Sequence, residues 1–443
     1  MSKVSRFLYH QWLKVKELDW VFSYEFKRIF HDPGVLVIFI LATVAYPILY
    51  NFIYWKDTIE NVPVAVVDLS NSPESRDFLH KWGACPDVKL EYFCTSMQEA
   101  ERLMRDRKVY GIIYFPSDYA AAINSGLEQA HISLYCDMSS FLYMKAVYLS
   151  CNQVMLESMR NIQIDRYEAM GYDNEFAWSL VQDAPYTETA LFCPTGGYAS
   201  FLIPAVLMLI LHQTLLFGIC MLGGTAREEN NELFILPGRR RSVSVFRIIL
   251  GRSAAYFVLY MALGALNLIL VPRLFGLPHV GDPMDVLRFM VPYLLAVIYF
   301  SICVSVFTRN RETGLVMLIS STLIFLFIAG VSWPQQMLPK AWLYLSYAFP
   351  YTWGVHGYLH INSMGATLAG TSREYYALWI LAAAYFVTAC VLLWALGRRE
   401  VRRQKKELET ETPVSNSAIV VEPPLNTITP TAPDIEPVGP NYD

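Results

Sequence analysis

Apolar residues gather in this chain into six long blocks, and the polar positions fall between them. The blocks lie near Val35 to Tyr54, Tyr198 to Leu222, Ile248 to Val271, Phe289 to Phe307, Gly314 to Val331 and Tyr375 to Leu396. Each holds roughly the 20 residues that a helix needs to cross a hydrocarbon layer about 30 Å thick. The first and second are separated by about 140 residues of mixed polarity. That is longer than a connecting loop and long enough for a folded domain. The predicted fold class is a membrane all-α bundle of six helices, one plus five, with an inserted extracytoplasmic α/β domain.

Ahead of the first block, Leu8, Trp12, Val15, Leu18, Phe22, Phe26 and Ile29 recur at steps of three and four, with Lys and Glu between them. The pattern predicts an amphipathic helix, lying in the membrane interface or packed on other protein. Asp32-Pro33-Gly34 ends it. Within residues 55–195, Val62 to Leu69, Val88 to Phe93, Val109 to Phe115 and His131 to Cys136 read as short strands. Pro73 to Trp82 and Ser96 to Arg107 read as helices, the second with Ser96 and Glu99 placed to cap it. Met144, Val147, Cys151, Val154 and Ile162 predict a long helix leading back to the membrane. From Glu407 onward Thr, Pro, Ser and Asn prevail without a helical period, which predicts a disordered tail. The organisation is then an N-terminal segment (1–34), a first spanning helix (35–54), the α/β domain (55–195), a five-helix membrane domain (196–396) and a basic, then disordered, tail (397–443).

Composition agrees: 54% of residues are hydrophobic and the formal net charge is only -4, so nothing points to nucleic acid. The placement of Lys and Arg is more informative. They crowd residues 3–28, 227–247, 309–311 and 398–406, whereas the alternate short loops offer only Arg273, Arg288, Lys340 and Arg373. The basic side faces the cytoplasm, so both termini are expected there and residues 55–195 outside. The first thirty or so residues lack the compact apolar core of a cleavable leader. Of eight cysteines, Cys85, Cys94, Cys136, Cys151 and Cys193 fall outside, an odd number that leaves both free thiols and bridges open.

Sites for chemistry are few. The phosphate-cradling Gly-x-x-x-x-Gly-Lys-Ser/Thr loop is missing, and no Gly-Lys pair occurs. No cofactor is expected, and energy has to come from a partner or a gradient. His356 and His360 share a helix face but lack a third ligand, so no metal site is expected. His212 and Gln213 sit in the middle of the second block and Arg252 a turn inside the third. Polar groups at that depth are functional candidates, with interhelical hydrogen bonding the alternative.

The loop 223–247 carries Arg227, Glu228, Glu229, Asn230, Asn231 and Glu232, then Pro237-Gly238 and Arg239 to Arg241. Here the sequence resembles the type-2 ABC exporter permeases, in which such a segment forms a coupling helix that docks on the ATPase. Glu25 through Pro33 resembles the family's Glu-x-x-x-x-x-x-Asp approach to the first span, and Pro237 and Gly251-Arg252 resemble its landmarks around the third. Gly330, Pro334, Met337, Pro339 and Pro350 through Thr352 resemble its signature after the fifth span. The short apolar stretch within that signature, Met337 to Phe349, cannot span alone, and it predicts a re-entrant outer gate shielded by protein. Asn230-Asn231 departs from the family's usual Gly-Thr.

The resemblance implies a permease subunit of the bacterial inner membrane that carries no ATPase of its own. Its expected partners are ABC ATPase subunits that bind the ATP, a second permease subunit, identical or not, and surrounding lipid. A periplasmic adaptor and outer-membrane channel would complete a tripartite system. Drug-like amphiphiles are the expected cargo, with lipid-linked glycan or peptide as alternative. A membrane sensor or scaffold that uses its external domain is the reading from another class.

Overall fold

The computed structural model describes residues 3–125, 129–181, 191–192, 196–229 and 244–411. The N-terminal helix runs unbroken over Lys3–His31. Asp32 stops it in an extended conformation, and its Oδ1 accepts hydrogen bonds from the amides of Gly34 and Val35 at 3.0 and 3.2 Å. With Pro33 at the first helical position, one residue both ends a helix and caps the next.

Among the described residues, six helices are long and apolar enough to cross a membrane: Pro33–Ile53, Tyr198–Glu228, Val245–Leu274, Pro283–Ser305, Arg311–Ile328 and Ser372–Arg398, here called the first to sixth spans. The second is the hub, since its most apolar stretch is wholly buried, against about a fifth of that of the first, fifth or sixth. A residue without a side chain lets the first span approach it closely: a Cβ at Gly218 would lie 1.7 Å from the Phe39 ring. Two spans contain π-helical turns, Val37–Ala42 and Leu266–Leu270. Such turns disturb the regular ladder of backbone hydrogen bonds, and side chains bind carbonyls beside or within them. Asn267 Nδ2 donates to the Thr43 carbonyl at 2.9 Å and the Tyr358 hydroxyl to that of Leu268 at 2.9 Å.

Hydrogen bonds fix which ends of the helices meet. The Asp57 carboxylate accepts from Ser200 N and Ser200 Oγ, at 2.8 and 2.6 Å, so the first span ends where the second begins. Arg28 donates to the Leu222 carbonyl at 2.7 Å, and Arg311 pairs with Asp32 at 2.7 Å. Residues 28–32, 222–228 and 306–311 therefore share the opposite end, called here the basic end.

Between the first two spans lies a four-stranded sheet of order β2-β1-β3-β4, built of β1 (Val62–Asp68), β2 (Val88–Cys94), β3 (Gly111–Phe115) and β4 (Ser133–Cys136). β1 is parallel to β2 and β3, and β4 runs antiparallel to β3. Central strands covered on both faces need continuous apolar runs, and β1 supplies Val62, Val64 and Val66 to one side and Ala65 and Val67 to the other. Pro73–Gly83 and Phe141–Ala169 cover the first side, with Phe78, Trp82, Val147 and Val154 in its core; Met97–Arg105 covers the second. Ser96 caps this last helix through the Glu99 amide.

The seven described cysteines are free, and Cys193 lies outside the described residues. Burial pushes the thiols of Cys85 and Cys136 up and that of Cys151 to about 12. All three stay protonated near neutral pH and are poor nucleophiles.

The sixth helix departs from expectation. It continues through Arg398 to Glu411, into the part read as disordered tail. From Arg398 to Thr412 the chain holds neither Pro nor Gly, and its basic residues precede acidic ones, so no local signal stops the helix before Pro413. Among the described residues, those up to Leu392 form one compact unit and those from Leu393 to Glu411 a second.

Candidate functional site

The N-terminal helix packs along the third span. A Cβ at Gly251 would lie 3.2 Å from the Leu18 carbonyl oxygen and 2.8 Å from Val21, so only glycine permits this crossing. The approach buries Glu25, which is 2% exposed. Arg252 Nε lies 3.3 Å from Glu25 Oε2, and the Tyr256 hydroxyl, one turn on, donates to Glu25 Oε1. Glu17 pairs with Arg247 lower on the same seam. Arg252, read from sequence as an isolated intramembrane candidate, is thus half of a buried ion pair. Its partner stands 227 residues away in the segment whose Glu and Asp carry the family resemblance.

Seven residues beyond Glu25, Asp32 binds Arg311 at the start of the fifth span, with oxygen to nitrogen distances of 2.7 and 3.2 Å. Arg227 donates to the carbonyls of Val306 and Thr308, which follow the end of the fourth span at Ser305. Glu228 Oε1 accepts from the Arg311 amide at 3.0 Å. Asn310, the N-cap residue of the fifth span, offers no side-chain cap, so Glu228 supplies the missing acceptor from another helix. Arg227 and Glu228 therefore belong to the last turn of the second span, not to a separate short helix. The helix runs through Gly223 and Gly224 although glycine weakens a helix interior, because both lie in close contact with the chain at and beyond the end of the fourth span: a Cβ at Gly224 would lie 2.6 Å from the Asn310 carbonyl. Glu229 is exposed just beyond. Glu232, Asn230, Asn231, Pro237 and Arg239 to Arg241 lie outside the described residues.

Deeper in the bundle His212 is fully buried, and neither ring nitrogen has a hydrogen-bond partner. Phe300, Phe325 and Tyr351 surround the imidazole with ring centroids 6.0, 4.9 and 5.8 Å away. Gln213 Oε1 lies 3.5 Å from Ser321 Oγ on the fifth span, and its amide nitrogen has no partner. The two candidates thus point to different neighbours, His212 to an aromatic cage and Gln213 to the fifth span.

Beyond the fifth span, Gly330 adopts a left-handed conformation (φ 82°) that ends the helix. The Ala329 carbonyl left open there accepts from Gln335 Nε2 at 3.2 Å and lies 2.8 Å from His356 Nε2. Pro334 and Pro339 begin two short turns, Gln335–Met337 and Lys340–Ser346. Met337 is exposed. Pro350 opens a helix, Pro350–Asn362, that packs into the bundle. Tyr351 bonds the Ala205 carbonyl at 3.2 Å and Tyr358 that of Leu268 at 2.9 Å. The chain reverses at Phe349, whose ring contacts Phe300 and Phe325. Most of residues 332–345 are exposed, Trp333, Met337, Trp342 and Tyr344 among them, so this chain does not itself enclose the irregular backbone there.

His356 is occupied by Ala329 and His360 lies 4.0 Å from Glu374, so the pair does not converge. No group of three metal-ligating side chains occurs among the described residues. Sequence reasoning missed Tyr293, Tyr351, Tyr358 and Asn267, whose polar tips bind carbonyls of neighbouring helices. Their signal was weak because an aromatic inside an apolar run looks like packing.

The comparisons come to one result. Residues 33–391 match a family profile described as "ABC-2 family transporter protein", which covers all six spans up to Val391 and the sheet between them. No curated protein matches the chain significantly.

Proposed function

The chain belongs to the ABC-2 transporter family, and from that premise we propose that it is the membrane half of an ATP-driven exporter of drug-like amphiphiles. It is a multi-pass membrane protein and is not itself catalytic. In this reading it works as a pair of permease subunits with two separate ATPase subunits that bind the ATP, and the pathway lies between the two permeases. The basic end faces the cytoplasm of a bacterial inner membrane. The sheet lies outside, where a periplasmic adaptor leading to an outer-membrane channel would meet it.

One observation carries the proposal. At the basic end Glu25–Arg252, Asp32–Arg311, Arg28–Leu222 and Glu228–Arg311 join the N-terminal helix to the second, third and fifth spans. Force applied to residues near 229–244 would reach four elements together instead of bending one loop. ATP-driven closure of the ATPases can then shift the bundle between two arrangements, provided that it favours one of them.

Proteoliposomes holding the chain and an ABC ATPase that copurifies with it test the function. ATP should drive loss of a Hoechst dye from the membrane, and the chain alone should drive none. Failure of any ATPase to copurify, with no ATP-dependent dye movement, would return the protein to the sensor or scaffold class.

Orientation has its own test. Single reporter cysteines at Ser125 and Ser242, in a cysteine-free variant of outer-membrane-permeabilised cells, should react with an impermeant maleimide at Ser125 only, as the basic-residue asymmetry implies. Labelling confined to Ser242 would reverse the topology.

A further inference from the structure

The α/β segment holds a cavity of about 510 Å³ between the helices Tyr119–Ser125 and Phe141–Ala169. That is within the range of roughly 300 to 1,000 Å³ typical of small-molecule sites. Its floor is apolar, formed by Phe78, Tyr119, Ile123 and Met155, and it reaches Ile132 before β4 and Ile162 on the long helix. Among the described residues, the lining contains one arginine, Arg166, and no acidic residue.

Ser158 distinguishes this cavity from a packing defect. Serines inside helices ordinarily spend the hydroxyl on the carbonyl one turn back. Ser150, two turns earlier in the same helix, does so: it donates to Ala146 at 2.8 Å and accepts from Trp82 Nε1 at 3.0 Å. Ser158 is 7% exposed, lines the cavity, and its Oγ has no partner. A hydroxyl in that state costs stability unless something fills its place. Arg166, which lines the cavity and is exposed, donates from one guanidinium nitrogen to the Ile123 carbonyl.

We propose that this cavity binds an amphiphile with an apolar body and an anionic head, the body on Phe78, Ile123 and Met155, the head reaching Ser158 and Arg166. The site is separate from the spans and does not depend on transport. A neutral ligand would leave the arginine unused, and a cation would meet it with repulsion. An acid of medium chain length has both features, an aliphatic body and a carboxylate that accepts from a hydroxyl and a guanidinium together.

The test uses the full chain in lipid nanodiscs, with 11-(dansylamino)undecanoate as fluorescent probe and decanoate as competitor. A saturable signal of about one probe per chain, above that of empty discs, is expected. Arg166→Gln should weaken decanoate by about tenfold, a loss of about 1.4 kcal/mol, and leave decanol unchanged. Ser158→Cys should react with methanethiosulfonate more slowly when decanoate is present. Ile162→Trp should fill the cavity and remove the saturable signal. Equal signals in empty discs and in the protein, or a thiol at position 158 that decanoate does not protect, would overturn the proposal in favour of partition into lipid or of a water-filled cavity. Should the tryptophan variant not insert, thiol protection decides alone.

Discussion

Replacing Arg252 by glutamine should be among the most damaging single changes available in this protein. It leaves Glu25 buried at 2% exposure, with Tyr256 as its remaining donor, in a seam where Gly251 brings the third span close against Leu18 and Val21. Breaking a buried pair by removing one member costs about 3 to 5 kcal/mol, because the other charge stays without compensation. The expected result is a large fall in the recovery of monodisperse protein and in its melting temperature in detergent. Glu25→Gln with Arg252→Gln should recover much of that loss, since an uncharged pair of similar shape avoids the desolvation cost. Wild-type stability in the single variant would show that the seam is hydrated and the pair ornamental. The same cycle separates stability from coupling: if the double variant folds but no longer links ATP hydrolysis to dye movement, the charges themselves carry the switch.

The parts of this fold that were legible in the sequence are those written in one stretch of chain. Runs of about 20 apolar residues have few alternatives to a spanning helix, and all six blocks coincide with helices of sufficient length. Asp32-Pro33-Gly34, read from sequence as the end of the N-terminal helix, also caps the start of the first span, and Asp282-Pro283, which the sequence reading passed over, caps the fourth in the same way. The fourth span accordingly begins at Pro283, six residues ahead of the apolar block, because the cap and not hydropathy decides where a helix starts. The strands of the sheet were visible through β-branched runs between turn residues, and each lies where such a run does.

What the sequence hid depends on distance along the chain. Glu25 and Arg252 are 227 residues apart and Asp32 and Arg311 are 279, and no local pattern joins them. Without the partners, Arg252 could be read only as a polar group at depth, a functional candidate or an interhelical contact. The helix Pro350–Asn362 was hidden for another reason. Polar contrast on one face is what makes a helix visible, and this one buries Tyr351, Val355 and Tyr358 while Gly354 and Gly357 admit the rings of Tyr293 and Phe289. Apart from His356 and His360, which mark one face, its polar residues Thr352 and Asn362 are buried as well, so the 13-residue element shows little of the polar contrast of a surface helix. His212 was identified from its depth alone, and depth did not reveal that aromatic rings would enclose it.

The two adjacent acids at the end of the second span should separate docking from fastening. Glu228 caps the Arg311 amide, so Glu228→Ala should cost about 0.5 to 2 kcal/mol through the loss of a cap, read as a lowered melting temperature. Glu229 is exposed, and its side chain meets no recorded partner among the described residues, so Glu229→Ala should leave stability unchanged. If the segment docks on an ATPase, the consequence for assembly is reversed. Removing one member of a charge pair that becomes desolvated at an interface costs about 2 to 5 kcal/mol, enough to lower ATPase recovery by roughly thirtyfold or more. Glu229→Ala should then insert normally, melt normally and lose both copurification of the ATPase and export. Glu228→Ala with Glu229→Ala should add the stability defect to the same loss. Normal ATPase recovery and export by Glu229→Ala would mean that the acids serve only the fold, with Glu228 holding the second span to the fifth and Glu229 solvated. Partial loss in Glu228→Ala alone, restored by Asn310→Asp, would trace that residue's effect to the capping of the fifth span, because an aspartate at the N-cap can take over the Arg311 end of the helix without touching the partner.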